Sequence, residues 1–322
     1  MVIAITGANG FLGDALLRKL CQYEVIALVR KRPFIQLAEV KDKTCGDLSP
    51  LQVWDNLLLG VDVVIHTAAR VHSMHERSSS DMGFRRTNVE GTLNLARQAA
   101  NLGVKRFIFL SSVKVNGELS NDGEPFLAEN TPKPEDAYGV SKMEAELGLY
   151  QISNETDMEV VCIRPPLIYG PGVKGNFMVL LRWLQSGIPL PLGAVHNRRS
   201  LVAIDNLVDL IVTCIDHHAA ADQTFLVSDD KDLSTTELLR LMGSALDRPT
   251  RLIPLPSKLL QLGAKLFGKE EITQRLLGNL QVDISKTKGL LSWSPPLTVE
   301  EGLKKTADWY HKQRMGEHES HE

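Results

Sequence analysis

An α/β fold, a doubly wound parallel sheet with a smaller and mostly helical C-terminal unit, is predicted by three features of the sequence. Short apolar runs recur at βα spacing through the first half of the chain. A glycine turn, TGANGFLG at residues 6–13, joins the first of these runs to an amphipathic segment. After Ile168 the alternation gives way to helical patterns and proline-marked loops.

Residues 2–6 read as the first strand and residues 11–21 as the helix that follows. Between them Gly7 permits a tight turn, Gly10 lets a ligand approach bare backbone, and Gly13 lets helix and strand pack closely. Helix N-terminal amides favour an anion at this place, so the turn predicts a dinucleotide pyrophosphate with Asn9, Phe11 and Leu12 beside it. An ordinary glycine-rich βα turn is the alternative. Runs at residues 24–30, 61–69, 106–112 and 159–165 are almost continuously apolar, as strands covered on both faces must be. A shorter strand is expected near residues 43–48. Helical patterns at residues 87–102 and 137–153 supply the right-handed crossovers of a parallel sheet.

The stretch YGPGVKGN at residues 169–176 is rich in turn formers, and a helix is expected at residues 177–185. Strands at residues 201–204 and 225–227 flank a helix at residues 206–218. Ser234 with Glu237 forms a capping box that opens another helix. The polar tail from Arg314 onward is expected to fray. This organisation predicts a dinucleotide-binding unit at residues 1–170 and about 198–229. A substrate-binding unit is expected at residues 171–197 and 230–322.

A chain of 322 residues, 43% hydrophobic and 23% charged, can bury a large core. Its formal charge of −3 shows no overall basic excess of the kind that nucleic acid or an anionic membrane would select. Cys21, Cys45, Cys162 and Cys214 have neither CxxC nor metal-ligand spacing, so no metal site is expected and a reducing cytoplasm is inferred. No apolar run reaches 18 residues, and a strand that begins at residue 2 leaves no leader before it.

Tyr138 and Lys142 are four residues apart at the start of a helical pattern, so they share a helix face. A lysine ammonium beside a phenol is expected to stabilise the phenolate and make Tyr138 a proton shuttle. Ser111 and Ser112 end an apolar strand, at the sheet edge where ligands of open parallel sheets bind. Either hydroxyl could hold a substrate oxygen; both could simply cap a turn. Arg30 ends the second strand, where an acid would suit the ribose hydroxyls of NAD(H). An arginine suits the phosphate of NADP(H), so NADP(H) is favoured, with NAD(H) as the alternative and a solvated basic loop of Arg30, Lys31 and Arg32 as a third reading.

Taken together these residues resemble the extended short-chain dehydrogenase/reductase family, the nucleotide-sugar epimerase and dehydratase group, along nearly the whole chain. TGANGFLG is similar to that family's TGxxGxxG loop, and YGVSK at residues 138–142 to its YxxxK motif. LSSVKVNG at residues 110–117, HTAAR at residues 66–70, NVEGT around Asn88 and RPPLIYGPG at residues 164–172 resemble further family segments. The resemblance implies a Rossmann-type cofactor domain. It implies that Tyr138 is the general acid/base, that Lys142 holds the nicotinamide ribose, and that Ser112, counted back from Gly117, orients the reacting oxygen. It places Asp47 and Leu48 near the adenine; Asp47 could equally be a loop carboxylate. Thr67, Ala68, Ala69, Ser111 and Pro165 fall along the cofactor, with Asn88 supporting the active-site helix. Arg70 and Asn176 fall beside the substrate. Where the family often has tyrosine, before Gly117, this chain has Asn116.

RRSLVAIDN at residues 198–206 resembles the family stretch that begins with a diphosphate-binding arginine, here Arg199; Arg275 is a second candidate, and a surface charge is the alternative for each. The longer pattern at residues 196–209 is similar to a bacterial subgroup acting on UDP-sugars for surface polysaccharide, either 4-epimerases or 4-ketosugar reductases. An epimerase returns its hydride and gains little from NADPH, whereas a reductase consumes it. The Arg30 reading therefore favours NADPH-dependent reduction of a UDP-linked 6-deoxy-N-acetylhexos-4-ulose, with UDP-hexose 4-epimerisation as the alternative; retention of Tyr138 and Lys142 disfavours a non-catalytic nicotinamide sensor, and Arg199 disfavours a lipophilic-ketone reductase. The family resemblance also implies a homodimer paired through the helices at residues 87–102 and 137–153.

Overall fold

The computed structural model describes residues 1–30, 40–71, 80–266 and 270–319. Lys31 and Arg32, which continue the basic cluster begun by Arg30, lie outside the described residues. Seven strands form one parallel sheet: β1 (Val2–Thr6), β2 (Glu24–Val29), β3 (Val40–Thr44), β4 (Val63–His66), β5 (Arg106–Leu110), β6 (Glu159–Arg164) and, after two strands outside this sheet, β9 (Gln223–Leu226). Their order is β3-β2-β1-β4-β5-β6-β9, so the winding reverses between β1 and β4. Ligands of such sheets bind beyond the strand carboxyl ends at that reversal. The register sets Thr6 beside His66 and Leu110 beside Ile163, which brings the ends of four strands to one edge.

Alternate side chains point to opposite sheet faces. Ile3, Ile5 and Ile65 pack with Leu16 and Leu17 of α1 (Phe11–Lys19) and with Leu207 and Ile211 of a later helix at Ile204–Asp216. On the other face Ala4, Val64, Phe107 and Phe109 are covered by two further helices. A short turn of helix, α2 (Asp55–Leu58), precedes β4. After it come α3 (Ser80–Phe84), a π-helical segment (Arg85–Gly91) continuous with α4 (Thr92–Asn101), and α5 (Ala137–Glu155). Leu95 and Ala99 of α4 and Leu149 and Ile152 of α5 are the covering side chains.

Beyond β6 the strands β7 (Leu167–Tyr169) and β8 (Leu201–Ala203) pair in parallel with each other, apart from the large sheet. They bracket α6 (Gly175–Ser186), and α7 (Ile204–Asp216) follows β8. The rest is helical: α8 (Thr235–Ala245), α9 (Ser257–Leu266), α10 (Glu270–Leu277), α11 (Ser285–Leu291) and α12 (Val299–Glu319). Tyr169, Phe177, Leu239, Leu303 and Tyr310 belong to the core of this part. A buried keystone locks it: the Tyr169 hydroxyl donates to Asp229, whose other oxygen accepts from the Ala203 amide and the Asn206 side chain.

The predicted α/β class and the Rossmann-type topology are observed. Four local expectations need correction. The third strand lies at Val40–Thr44 and only partly overlaps the expected residues 43–48, because Gly46 takes φ 70° and turns the chain away. The helix expected from residue 87 begins as a π-helical turn at Arg85. The strand expected at residues 61–69 spans only Val63–His66, since Thr67 and Ala68 turn back onto the end of β1. The helix carries on past Arg314, where fraying was expected: α12 runs to Glu319, anchored by buried Leu303, Ala307 and Tyr310, and residues 320–322 of that expectation lie outside the described residues.

Candidate functional site

The glycine turn closes through backbone alone. The Gly10 amide donates to the Gly7 carbonyl at 2.8 Å and the Asp14 amide to Gly10 at 2.9 Å. Gly7 has φ 70°, and a Cβ there would lie 2.8 Å from the Ala68 amide nitrogen. A Cβ on Gly13 would overlap the Gly7 carbonyl oxygen and come within 2.7 Å of the Ala8 Cα. The turn is thus filled by main chain, with Asn9 and Gly10 exposed at its tip and Leu12 buried beneath. That is the cradle a dinucleotide pyrophosphate requires.

Thr67 and Ala68 sit against the same turn; the Thr67 hydroxyl donates to the Thr6 carbonyl at 2.7 Å. Behind them His66 is fully buried between the Thr6 and Thr92 hydroxyls, at 2.6 and 2.9 Å. Burial, with the Lys142 charge adding to it, pushes its imidazole down to about 3, so His66 is a neutral structural group. Asn88, in the π-helical turn, is the hinge between this strand end and α5. Its side chain exchanges hydrogen bonds with the Arg70 backbone at 2.8 and 3.0 Å and donates to Ser141 Oγ at 3.0 Å. Ser141 in turn donates to the Tyr138 carbonyl. Arg70 itself packs over Gly83 of α3, beside Phe84, whose ring meets Tyr138 edge-on.

Tyr138, Lys142, Glu146 and Tyr150 follow at four-residue intervals and form one polar column down the α5 face. Asp136 caps this helix through the Gly139 amide at 2.7 Å. Lys142 Nζ donates to the Leu110 carbonyl at 2.7 Å, lies 4.4 Å from the Phe109 ring centre, and is 5.9 Å from the Tyr138 ring centre. Lys142 therefore ties α5 to the carboxyl end of β5, next to the two serines.

The expected electrostatics are reversed here. Burial, reinforced by the Asp136 carboxylate, pushes the Tyr138 phenol up to about 12, and burial pushes Lys142 down to about 7 against the pull of Glu146. Sequence spacing predicted that the ammonium would make the phenol more acidic. The low-dielectric surroundings penalise both charges.

Ser111 and Ser112 divide the two readings given to them. Ser112 Oγ accepts from the Lys114 amide at 3.2 Å and caps a 3-10 turn (Val113–Val115), while Ser112 itself is half-buried. Ser111 Oγ is buried with no hydrogen-bond partner among the described residues. Such a group is costly unless something satisfies it. With the glycine cradle, it fits a polar cofactor lying along the sheet edge. Pro165 is buried alongside, its carbonyl accepting from the Val113 amide at 3.0 Å.

Arg30 and Asp47 both reach the rim, but as partners: their ends are 3.5 Å apart and 77% and 84% exposed. Arg30 therefore faces a carboxylate. Leu48 packs against Gly91, where a Cβ would lie 2.9 Å from it. Phe11 meets Gly172 of the turn-rich loop. Asn176 is exposed in the first turn of α6, next to Phe177, which stacks on Tyr169 at 5.5 Å. Arg199 is mostly buried and donates to the Gly278 carbonyl at 3.1 Å; burial and the nearby Arg275 cation hold its pKa below the usual guanidinium value, and Glu118 opposes them. The two candidate diphosphate ligands are thus neighbours. Gly278 also lines a cavity of about 360 Å³ with Leu119 and Gln274.

Two supports escaped the sequence reading. Lys114 grips both Asp136 and Glu118 at 2.6 Å, clamping the serine segment to the cap of α5. Gly139 makes room for it, since a Cβ there would lie 2.8 Å from the Lys114 carbonyl oxygen. Arg164 forks onto Glu146, with contacts of 2.5 and 2.9 Å, and its other nitrogen donates to Asn116 at 3.1 Å. The four-residue spacing of Glu146 from Lys142 was a usable signal for the second; nothing local marks Lys114.

The NAD dependent epimerase/dehydratase family model matches residues 3–227. A UDP-glucose 4-epimerase of Vibrio cholerae is 49% identical over 314 residues, 95% of this chain and 94% of that one. An N-acetyl-alpha-D-glucosaminyl-diphospho-ditrans,octacis-undecaprenol 4-epimerase of Escherichia coli O157:H7 is 27% identical over 95% of this chain and 94% of its own. Among solved structures, the UDP-glucuronic acid 4-epimerase from Bacillus cereus in complex with NAD shares the fold at TM-score 0.77 and 19% identity, covering 97% of this chain and 99% of that one. With a glycine cradle, an unpartnered serine and a Tyr-Lys helix at one sheet edge, and with these matches, the chain belongs to the NAD dependent epimerase/dehydratase family.

Proposed function

We propose that this protein is a UDP-hexose 4-epimerase that inverts carbon 4 of the sugar through transient oxidation. The observation that carries the reading is the near full-length, 49% identity with the Vibrio cholerae UDP-glucose 4-epimerase. A nicotinamide dinucleotide, when bound, supplies the hydride acceptor and donor. In this reading the glycine turn with Thr67 and Ala68 holds the dinucleotide, NAD(H) in preference to NADP(H). Tyr138, once ionised, would take the proton of the carbon-4 hydroxyl and give it back to the same oxygen after carbon 4 has been reduced from its opposite face. Ser112 orients that oxygen. Lys142, held by Leu110, would bind the cofactor's ribose and set the depth of α5. Arg199 and Arg275 would grip the diphosphate. The division into a dinucleotide-binding unit and a substrate-binding unit, at the boundaries predicted above, belongs to the same reading. So does a homodimer through α4 and α5, supported by the exposed Val140 and Leu147 on α5.

Reduction of a UDP-4-ketosugar with NADPH uses the same residues, and Arg30 is the observation that favours it. Its support is weakened because Asp47 already faces that guanidinium. Incubation with UDP-glucose and no added reductant separates the two. UDP-galactose formed without net nicotinamide consumption supports the epimerase. No UDP-galactose, with stoichiometric NADPH oxidation on a UDP-4-ketosugar, supports the reductase.

A further inference from the structure

Residues 248–265 carry Arg248, Arg251, Lys258 and Lys265 and no carboxylate, in a chain that is net anionic. The whole-chain balance averages this stretch away. All four cations are exposed, and none pairs with a carboxylate among the described residues. The same stretch exposes large apolar side chains. Leu259 and Leu262 on α9 are 52% and 58% exposed, and Ile253, just before the helix, is 52% exposed. Three residues apart, the two leucines share one helix face, with lysines at either end. Single exposed leucines are ordinary; two on one helix face with a lysine at each end form a candidate contact surface.

We propose that this face docks the protein peripherally on an anionic bilayer, with Leu259 and Leu262 at the headgroup–acyl boundary, Lys258 and Lys265 over lipid phosphates, and Arg248 and Arg251 adding to the local positive charge. A short helix with an apolar face and basic flanks is the form such contacts take. The helix lies on the membrane and does not cross it; among the described residues no helix is long and apolar enough to span. A second copy of the chain is the poorer occupant. Two-fold pairing would bring the like cations of α9 against one another. Gln261 and Lys265 of α9 also line the cavity bounded by Gly278, whose carbonyl holds Arg199. Docking therefore sets the candidate diphosphate site at the membrane surface. The inference stands on exposure and charge, independently of which reaction the site performs.

The test is co-sedimentation of the full chain with vesicles of phosphatidylcholine alone and of equal parts phosphatidylcholine and phosphatidylglycerol. Anionic vesicles are expected to retain at least about tenfold more protein at low salt, falling as salt screens the cations. Leu259→Glu with Leu262→Glu should abolish the retention at unchanged thermal midpoint. The surface variant Lys258→Glu, which disturbs no packing, should reduce it severalfold. Equal retention on both vesicles, retention that survives these variants, or variants that change only the oligomeric state in size exclusion would overturn the proposal.

Discussion

The glycine turn and the polar column of α5 meet at the same sheet edge, yet they are built on different physics. The turn is made of main chain. Its geometry follows from Gly7, Gly10 and Gly13, whose missing Cβ atoms leave room for backbone. The column of Tyr138, Lys142, Glu146 and Tyr150 is made of buried polar side chains whose properties come from distant segments: Leu110, Arg164, Asn116 and Thr224. A turn of the first kind is specified within eight residues. A column of the second kind is specified only once the sheet has closed around it.

The sharpest test of this difference is the buried pair at the column's base. Glu146→Ala leaves Arg164 with an uncompensated charge and should cost about 3–5 kcal/mol in urea unfolding. A loss below about 1 kcal/mol would mean that Asn116 and the Ala128 carbonyl suffice for Arg164. Next comes the turn. Gly13→Ala forces a Cβ into main chain that cannot move aside, so destabilisation of about 1–3 kcal/mol and loss of dinucleotide binding by calorimetry are expected. Unchanged binding would break the contrast, since the cradle would then tolerate a side chain.

Lys142 gives a pH signature. Its folded value is lowered from 10.5 to about 7, so between those limits the unfolded chain holds a proton the folded one lacks. Wild-type stability should therefore rise with pH across that window, and the burial penalty should be greatest at its acid end. Lys142→Met removes the penalty. Its stability relative to wild type should be highest near pH 7 and decline toward about pH 10, read from urea midpoints. A pH-independent difference would show that Lys142 is not desolvated.

The smallest effect separates the serines. Ser111 Oγ makes no hydrogen bond among the described residues, so Ser111→Ala should change stability by less than about 1 kcal/mol. Ser112→Ala removes a cap and the group proposed to orient substrate, and turnover should fall while Ser111→Ala spares it more. The reverse order of turnover losses would move the substrate contact to Ser111.

The sheet and the dinucleotide turn were legible because strand burial and glycine geometry are local properties. Val2–Thr6 was predicted to the residue, and the capping box of Ser234 and Glu237 is present. The placement of Tyr138 and Lys142 on one face followed from helical spacing alone. The direction of their acidity shifts did not, because it depends on how completely α5 is buried against β5 and β6. The pairing of Arg30 with Asp47 joins residues 17 apart through adjacent strand ends, which no periodicity reveals. The π-helical turn that aims Asn88 at Ser141 carries the same apolar pattern as an α-helix. The length of α12 depends on a surface that Leu303 and Tyr310 find only in the folded molecule.

The most direct measurement is the initial rate of UDP-glucose to UDP-galactose conversion, without added reductant, for the wild type and for Tyr138→Phe. A general acid/base at Tyr138 requires conversion by the wild type and at least about a hundredfold lower rate in the variant, with its thermal midpoint preserved. Conversion by Tyr138→Phe at the wild-type rate would contradict the account.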